Sequence, residues 1–297
     1  MIDLSIVIPT FNRLATLREV IPSLLAQTVD RARFEIIVAD SQSTDGTAEY
    51  LSGVAAAASS VRHLPGRYSG RAAARNAGIA AARGRIVLFN DSDIIASPDL
   101  LERHLARHEG SRCAVVGLEV QVKTLEEYRE RSKNPPQRDT LHPPTRKRLS
   151  WLYFLTGNAS ARKADLDAVG GFDESFTGYG HEDLELGYRL QAHGVPIVYE
   201  PKAISYHLQD VGFEDQKTKM ELAGRSTVRF YRKHPDFSVK LRLGMTPVSL
   251  GAHAILGRLP GVVDWLDRRS ATSPLARTIA YQYHYVSGIK AALRFRE

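Results

Sequence analysis

The sequence contains a single cysteine and no long hydrophobic run. One cysteine excludes an intramolecular disulfide and any metal site made only of thiolates. Cys113 is followed by the apolar residues Ala114, Val115 and Val116, which predicts a buried structural thiol rather than a nucleophile. Because roughly 18 consecutive apolar residues are needed to span a bilayer, we expect no transmembrane helix.

The beginning of the chain lacks the features of a secretory signal peptide. Met1-Ile2-Asp3 has no basic residue, and the apolar run from Leu4 to Ile8 ends at Pro9. The fractions of hydrophobic residues (43%) and charged residues (25%) are typical of a globular protein. Together with the scarcity of cysteine, these features favour a cytoplasmic protein.

The positive charge of the chain is concentrated near its C-terminus. The net charge is +7, and residues 238–297 contain nine lysines and arginines against three acidic residues. A nucleic-acid-binding protein more often carries its positive charge on the main fold, so we expect no nucleic-acid partner. A basic segment rich in apolar residues instead favours a membrane surface or an acidic partner.

Strand-like and helix-like segments alternate over the first hundred residues. Four apolar runs between residues 4 and 89 predict strands, and the segments between them have helical spacing or are rich in alanine. Repeated units of this length predict an α/β fold with a Rossmann-like, mostly parallel sheet flanked by helices. Ligands of such sheets bind beyond the carboxyl ends of the strands, where Asp40, Asp91 and Asp93 lie.

The pattern is weaker in the second half of the chain. Residues 114–122 predict a strand, and residues 182–192 predict a helix. Residues 195–206 predict one or two short strands. Between the first two of these, residues 123–148 contain four prolines, which predicts a long loop with a helical piece that acts as a lid.

Two carboxylates stand one residue apart after the fourth predicted strand, in Asn90-Asp91-Ser92-Asp93. Because alternate residues of an extended segment face the same side, both carboxylates can point into one cavity. Acids so close repel each other unless a cation lies near them, and Mg²⁺ or Mn²⁺ shared with a diphosphate would supply that cation. The alternative is a helix cap, since a helical segment begins at Asp99.

A second polar motif is Gly178-Tyr179-Gly180-His181-Glu182-Asp183. Glycine lets the backbone approach a ligand closely. The two acids open a predicted helix, where they either stabilise its N-terminus or supply a general base. Downstream, His207 is either a structural residue or a ligand, and a mixed set of Asp and His suits Mn²⁺.

The order of these motifs resembles that of the family 2 glycosyltransferases, which are inverting enzymes with the GT-A fold. The resemblance extends over residues 3–210, and its acceptor-side motifs are most like those of the galactosyl- and N-acetylhexosaminyl-transferring branch. The segments that carry it are Ser5-Ile6-Val7-Ile8-Pro9-Thr10-Phe11-Asn12-Arg13, Glu35-Ile36-Ile37-Val38-Ala39-Asp40-Ser41, Ser43-Thr44-Asp45-Gly46-Thr47, Ala74-Arg75-Asn76-Ala77-Gly78-Ile79, Gly170-Gly171-Phe172-Asp173-Glu174 and Gly180-His181-Glu182-Asp183-Leu184-Glu185-Leu186.

The resemblance implies a hexosyltransferase that moves a sugar from a nucleoside-diphosphate sugar, with UDP preferred, in cell-surface polysaccharide or glycoconjugate synthesis. Asp183 is the expected general base. Asp40 is expected to bond the base of the nucleotide, while Asp93 binds Mn²⁺ or Mg²⁺ with His207 and with Asp91 in a supporting place. The implied nucleotide-binding residues are Pro9, Thr10, Asn12, Arg13, Asp40, Arg71, Arg75, Asp91, Ser92 and Asp93.

The resemblance also implies a site for a saccharide or lipid-linked saccharide acceptor. The expected acceptor- or sugar-binding residues are Trp151, Gly157, Asn158, Gly180 and Glu182. An aromatic ring can stack on a sugar, although a tryptophan in the core is the alternative. One departure from the family's pattern follows Asp40, where Ser41 replaces a second acid and Gln42 stands where glycine is common.

We expect a catalytic domain over residues 1–237 and a basic C-terminal helical extension over residues 238–297. The extension includes an amphipathic helix that begins at Pro274. It predicts binding at the inner face of the cell membrane. Packing on its own domain or on the partner of a homodimer are the alternatives. The apolar face of this helix consists of Leu275, Ile279, Tyr283, Val286, Ile289 and Leu293.

Two other functions fit the same scaffold. A non-catalytic protein that binds sugar nucleotides would lack a base or a metal ligand, yet Asp93, Asp183 and His207 are all present. A sugar nucleotidyltransferase usually has a loop rich in glycine and lysine after the first strand, and Pro9-Thr10-Phe11-Asn12-Arg13 is not such a loop. Walker A and dinucleotide-binding glycine motifs are also absent from the sequence.

Overall fold

A computed structural model of the chain describes residues 2–136 and 148–294. The chain divides into two units, which are described separately below. An N-terminal unit is formed by Met1–Ser175 and Glu182–Asp210, and a C-terminal unit by Phe176–His181 and Val211–Glu297. No helix among the described residues is both long and apolar enough to cross a bilayer.

The N-terminal unit is built on one mixed sheet of eight strands. The strands are β1 (Leu4–Thr10), β2 (Phe34–Asp40), β3 (Val61–Pro65), β4 (Ile86–Asn90), β5 (Ile94–Ala96), β6 (Ala114–Val122), β7 (Asn158–Arg162) and β8 (Ile197–Leu208). Their order across the sheet is β3-β2-β1-β4-β7-β6-β8-β5. The first four strands pair in parallel, as the sequence predicts.

The second half of the sheet is less regular than the first. Strand β7 is antiparallel to both of its neighbours, whereas β6 and β8 are parallel with a bulge after Gly117. The three-residue strand β5 is antiparallel to β8, and Ile94 pairs with His207. This pairing brings the segment after β4 next to the end of β8. The predicted α/β fold is therefore confirmed, with antiparallel strands added to the parallel half.

Seven helices among the described residues of the N-terminal unit connect and flank these strands. They are α1 (Leu14–Leu25), α2 (Thr47–Ala57), α3 (Arg71–Ala81), α4 (Leu100–Gly110), α5 (Leu125–Lys133), α6 (Lys163–Ala168) and α7 (Glu182–Ala192). The alanine-rich α3 packs close to β1, since a Cβ on Gly78 would lie 2.3 Å from the Cγ1 of Val7. Small residues on α3 thus let this helix lie close to β1. Strand β4 is the neighbour of β1 in the sheet.

Every residue of β1 and β2 is buried, because helices cover both faces of a parallel sheet. Cys113 is buried as expected, and its exposed fraction is 1%. The expected loop over residues 123–148 contains helix α5. The lid is predicted for this whole loop, and its residues 137–147 lie outside the described part of the chain.

The C-terminal unit is helical. Its helices are α8 (Phe213–Lys233), α9 (Phe237–Arg242), α10 (Pro247–Leu256), α11 (Val262–Arg269) and α12 (Pro274–Arg294). Helices α8 and α12 cross at two glycines, Gly224 and Gly288. A Cβ on Gly224 would lie 2.0 Å from the carbonyl oxygen of Tyr285, and one on Gly288 would lie 2.0 Å from that of Glu221.

Helix α8 packs within the C-terminal unit. The catalytic domain predicted over residues 1–237 and the extension predicted over residues 238–297 stay predictions. The residues of α12 that are buried are mostly small or polar: Ala276, Ala280, His284, Val286, Gly288 and Ile289. From the predicted apolar face, Leu275 remains 70% exposed. Val286 and Ile289 of the predicted face are buried, and small residues beside them let the two backbones approach closely.

Candidate active site

The carboxyl ends of β1 and β2 lie side by side, with Thr10 paired to Asp40. Asp40 is 1% exposed. Its Oδ1 accepts a hydrogen bond from the hydroxyl of Ser43, and its Oδ2 lies 3.5 Å from the Nε2 of His63. The carboxylate expected to meet the base of the nucleotide is thus bonded within the protein, where it orders the loop after β2.

The loops that follow β1 and β2 are tied to each other through Asn12. Its Oδ1 accepts the N–H of Thr44 at 2.8 Å, and its own N–H donates to the hydroxyl of Ser43 at 2.8 Å. Asn12 has a φ of +52° and Gln42 has a φ of +60°. A left-handed backbone explains why glycine is common at the position of Gln42. Pro9 and Thr10 are buried below this loop, while Asn12 and Arg13 are exposed.

Arg75 is almost fully enclosed, with 1% of its surface exposed. Its side chain extends from α3. The guanidinium donates one hydrogen bond of 2.7 Å to the Oδ1 of Asp91, after the end of β4, and one of 3.1 Å to the Oε1 of Glu182, at the start of α7. Its guanidinium carbon lies 5.4 Å from the centre of the Phe172 ring. Arg75 therefore joins the D-x-D segment to the paired acids of α7 rather than facing a ligand.

Arg71, one turn earlier on α3, lies 3.2 Å from the same oxygen of Glu182. Its side chain is 41% exposed, in contrast to that of Arg75. Of the two predicted arginines, Arg71 is the one that solvent and a ligand can reach. Asp91 is also partly exposed, at 25% of its side chain, although one of its oxygens is bound by Arg75.

The pKa values of the two acids at the start of α7 are shifted in opposite directions. Burial acts to raise the pKa of Glu182, but Arg71 and Arg75 outweigh it and hold the pKa below its ordinary value. Burial, together with repulsion from the neighbouring Glu182, raises the pKa of Asp183 to about 7. Asp183 is partly exposed, whereas Glu182 is 3% exposed. Asp183 is therefore the acid that can exchange a proton with a ligand near neutral pH.

Asp93 and His207 meet because β5 pairs with β8. The Oδ1 of Asp93 lies 3.4 Å from the Nε2 of His207, and the Nδ1 of His207 lies 2.8 Å from the Oε1 of Glu119 on β6. Burial opposes a charge on the imidazole, but hydrogen bonds to Asp93 and Glu119 raise the pKa of His207 to about 10. The pKa of Asp93 lies below its ordinary value, because His207 outweighs the effect of burial.

A divalent cation would have to displace the Nε2 proton of His207, and Asp93 and a neutral His207 are side chains that such a cation takes as ligands. Ligand atoms that share one ion with bonds of about 2.1 Å lie about 3 Å apart, close to the separation of the Asp93 and His207 atoms. Glu119 occupies the place of the carboxylate that commonly orients a ligating histidine through its other nitrogen. Among the described residues, no three acidic, histidine or cysteine side chains form a set able to hold a metal.

Two of the expected acceptor-binding residues lie in the core of the N-terminal unit. Trp151 is 4% exposed, and its ring meets that of Tyr188 edge-on. Asn158 is 3% exposed, and its amide nitrogen donates to the carbonyl of Ala203 at 2.9 Å. The Oδ1 of Asn158 lies 2.8 Å from the Nε2 of His104. Neither side chain presents a surface to a sugar in this structure.

Gly157 lies closer to the site. A Cβ on Gly157 would be 2.3 Å from the Oε2 of Glu119, so glycine leaves the space that this carboxylate occupies. Glu119 itself is absent from the sequence-based predictions. The signal that could have identified it is a pair of polar residues, Glu119 and Gln121, in a strand that is otherwise apolar. Gly180 belongs to the C-terminal unit, where its φ is +88°.

Comparison with family models gives two matches. Residues 5–170 match the model described as glycosyl transferase family 2. Residues 139–210 match the model described as the N-terminal domain of galactosyltransferase. The two matches overlap and together extend from β1 to the end of β8. They include Asp93, Asp183 and His207.

Two relatives show the extent of the similarity. The validoxylamine A glucosyltransferase of Streptomyces hygroscopicus subsp. jinggangensis is 32% identical over 276 residues, which cover 82% of this chain and 64% of the relative. The pre-mycofactocin glycosyltransferase of Mycobacterium tuberculosis is 28% identical over 275 residues, covering 88% of this chain and 55% of the relative. The chain thus spans less than two thirds of the length of either relative.

Two solved structures share the fold. The mannosyltransferase PcManGT from Pyrobaculum calidifontis, in complex with GDP-Man and Mn²⁺, aligns with a TM-score of 0.67 and 18% identity over 99% of this chain and 88% of its own. TarS 1-349 from S. aureus, in complex with UDP, aligns with a TM-score of 0.61 and 18% identity over 99% of this chain and 92% of its own. These likenesses confirm the predicted GT-A type of fold.

We expect Arg75→Met to lower the free energy of unfolding by about 3–5 kcal/mol, because it leaves Asp91 and Glu182 without their buried cation. The matched variant Arg71→Met removes a half-exposed arginine from the same Glu182 oxygen and should cost about 1 kcal/mol or less. Urea unfolding of both variants measures the difference. Equal losses would show that Arg75 does not have the central place assigned to it.

Proposed function

Because the chain belongs to glycosyl transferase family 2, we propose that it transfers a hexosyl group, with inversion, from a nucleoside-diphosphate sugar to a hydroxyl group. The observation that carries the proposal is the link made by Arg75. This residue joins Asp91, on the donor side, to Glu182, whose neighbour Asp183 is a partly exposed carboxylate with a pKa near 7. The hydrogen bonds of Arg75 thus support the assignment of the donor to the end of β4 and of the base to the start of α7.

On the donor side, we assign the nucleotide to the exposed loop residues Asn12 and Arg13, the partly exposed Arg71, and Ser92 beside Asp91. UDP is the preferred nucleotide by resemblance. It is also the ligand of the TarS structure, and a glucosyltransferase is among the relatives. Asp93 and His207 would hold Mn²⁺ or Mg²⁺, which stabilises the negative charge that develops on a departing diphosphate.

In the proposed reaction, the oxygen of the acceptor hydroxyl attacks the anomeric carbon and forms the new glycosidic bond. The bond from that carbon to the β-phosphate oxygen breaks, and the nucleoside diphosphate leaves with the electron pair. The proton of the hydroxyl passes to the carboxylate of Asp183. Attack from the face opposite the leaving group inverts the configuration of the anomeric carbon.

Glu182 supports this reaction through its charge. The two arginines keep it ionised, and its negative charge helps to raise the pKa of Asp183 towards the working pH, where a general base is most effective. One oxygen of Glu182 faces Arg71 and Arg75. The other has no hydrogen-bond partner among the described residues, which suits a bond to a sugar hydroxyl.

We propose a saccharide or lipid-linked saccharide as the acceptor, in cell-surface polysaccharide or glycoconjugate synthesis, and an anionic membrane surface as the partner of the C-terminal unit. Large exposed apolar side chains are frequent in that unit. They are Leu222, Phe237, Leu241, Val248, Ile255, Leu259, Trp265, Leu275 and Leu293. Val248 and Ile255 are 80% and 63% exposed and lie two turns apart on α10. The basic residues of the same unit complement anionic headgroups.

We expect Asp183→Asn to lower kcat by about 10²- to 10⁴-fold, the usual worth of a general base, with little change in nucleotide affinity. In the unaltered protein, kcat/KM should rise with pH through about 7, because only the ionised form of Asp183 accepts a proton. Steady-state kinetics across pH 5–9, with surface Asp167→Asn as the control, measure both effects. Near-normal turnover by Asp183→Asn would refute its role as base.

We expect Asp93→Ala to abolish the metal-dependent part of UDP binding, since it removes the carboxylate ligand that faces His207. Calorimetric titrations of UDP with and without Mn²⁺ measure this part directly. Asp167→Ala, which alters a surface carboxylate paired with Lys163, is the control. An unchanged difference between the two titrations in Asp93→Ala would remove Asp93 from the metal site. A thermal-shift screen of nucleotide sugars with Mn²⁺ would identify the donor.

We expect the protein to float with vesicles that contain anionic phosphatidylglycerol and not with vesicles of phosphatidylcholine alone. The paired variant Val248→Ser/Ile255→Ser should float less, because each exchange removes apolar surface from α10. Truncation near Phe237 is a poorer test, since it would strip α12 from α8. Equal flotation of the unaltered and paired variant chains, or none, would contradict the membrane proposal; a smaller oligomer of the variant in gel filtration would point instead to a homodimer.

A further inference from the structure

The side-chain amide of Asn158, at the start of β7, donates hydrogen bonds to two other strands of the sheet. Its nitrogen lies 2.9 Å from the carbonyl oxygen of Ala203 and 3.0 Å from the hydroxyl of Ser205, both on β8. It also lies 3.3 Å from the carbonyl oxygen of Leu118 on β6. Since a carbonyl oxygen only accepts, this end of the amide is the donor. Asn158 is buried, so water does not compete for these bonds.

The acceptors of this amide lie at the bulge between β6 and β8. The partner of Gly117 across the two strands is Glu200, whereas the partner of the next residue, Leu118, is Ile204. Residues 201–203 of β8 therefore have no partner on β6. The carbonyl at 2.9 Å belongs to the last of these three residues. The amide thus joins the two strands at the point where their register changes.

Gly117 leaves the space in which the amide lies. A Cβ on Gly117 would be 2.4 Å from the amide nitrogen of Asn158 and 2.3 Å from the carbonyl oxygen of Ala203. A side chain at this position would push apart the amide and the segment that it binds. The glycine and the asparagine therefore belong to one local arrangement.

The oxygen of the same amide is held by a histidine of α4. The Oδ1 of Asn158 accepts from the Nε2 of His104 at 2.8 Å. Burial lowers the pKa of His104 to about 4 and that of His108 to about 3, so both rings are neutral near pH 7. The Nδ1 of His104 then accepts from the hydroxyl of Ser160, whose oxygen accepts from the Nε2 of His108. The amide of Asn158 is therefore oriented from both of its ends.

The register beyond the bulge determines where His207 lies. Past the bulge, Glu119 pairs with Ser205. Since residues i and i+2 of a strand face the same side, His207 lies on the face of β8 from which Ser205 meets Asn158. The Nδ1 of His207 lies 2.8 Å from the Oε1 of Glu119, and its Nε2 lies 3.4 Å from the Oδ1 of Asp93. A shift of the register by one residue would turn His207 to the opposite face.

We propose that Asn158 is a positioning residue, whose amide fixes the register of β8 against β6 and thereby places His207 beside Asp93. All of these residues belong to the N-terminal unit. The inference rests on the proposed role of Asp93 and His207 as metal ligands. It gives the asparagine that was expected to bind an acceptor a part in donor binding instead, although its side chain touches neither the substrate nor the cation.

The first test follows hydrogen–deuterium exchange in the full chain without ligand. Asn158→Leu keeps the approximate shape of the side chain and removes its amide. The reporter is the backbone amide of Leu208, which donates a hydrogen bond of 2.8 Å to the carbonyl of Asp93. The internal reference is the amide of Ala114, which donates 2.9 Å to the carbonyl of Pro196 ahead of the bulge. The quantity compared is the ratio of the two exchange rates, Leu208 to Ala114.

Ser160→Ala is the matched control. It removes a buried hydroxyl from the same strand and the same hydrogen-bonded network, but leaves the bonds of Asn158 to β6 and β8. We expect the exchange ratio to rise about tenfold in Asn158→Leu, the effect of losing a buried hydrogen bond, and to stay unchanged in Ser160→Ala. An unchanged ratio in Asn158→Leu would overturn the proposal. So would an equal rise in both variants, because that result indicates a merely structural role for Asn158.

Ser205→Ala is a milder change at the same bulge, since it removes one of the three acceptors of the amide. The exchange ratio should rise roughly threefold, less than in Asn158→Leu. If Asn158→Leu fails to fold, Ser205→Ala decides in its place, and an unchanged ratio then overturns the proposal.

Calorimetric titration of UDP with and without Mn²⁺ gives a second readout. Asn158→Leu should weaken the Mn²⁺-dependent part of UDP binding about tenfold, as loss of a group that orients a metal ligand does, and leave the affinity without Mn²⁺ unchanged. Asp93→Ala is titrated in parallel. If Asp93→Ala loses the Mn²⁺-dependent part while Asn158→Leu keeps it, the positioning proposal fails alone. If Asp93→Ala keeps it, the assignment of the metal ligands fails, whereas exchange at Leu208 still decides the part of Asn158 in the register.

Discussion

The arrangement of the candidate site depends on the hydrogen bonds that the guanidinium of Arg75 donates to Asp91 and Glu182. A buried cation is costly unless carboxylates surround it, and Arg75 is bonded to Asp91 and Glu182. The converse also holds, since these two acids, with Asp183 beside them, would repel each other without the arginine. One side chain therefore fixes the distance between the end of β4 and the start of α7. The small residues of α3 place it there, because they let the helix lie close against β1.

Much of this arrangement could be predicted from the sequence. Apolar runs identify the parallel strands, and their carboxyl ends place Asp91 and Asp93 at one edge of the sheet. The meeting of Asp93 with His207 was harder to derive, because it depends on β5. A strand of three residues has no periodicity to detect, and its partner lies more than a hundred positions later in the chain. Family resemblance suggested the pair, and strand pairing explains it.

Other features could not be read from residue patterns because they arise from packing. Asn158 was predicted to bind an acceptor. In the core of the sheet, however, its amide donates to the carbonyl of Ala203, next to the bulge between β6 and β8. The buried face of α12 could be predicted only in part, at Val286 and Ile289, for a related reason. A periodicity argument identifies a buried face by its large apolar side chains. Gly224 and Gly288 let the two helices approach because they have no side chain. The left-handed backbone of His181, with a φ of +73°, likewise has no signature beyond the glycine that precedes it.

The lone thiol of the chain has a practical consequence. Cys113 is 1% exposed and begins the segment that leads into β6, the strand that carries Glu119. A water-soluble disulfide reagent can react with it only when this part of the sheet opens. The rate at which the reagent modifies Cys113 therefore reports how often this part of the N-terminal unit opens. No second thiol contributes to the signal. Ligands that stabilise the closed sheet should slow this reaction, and no cysteine needs to be engineered into the protein.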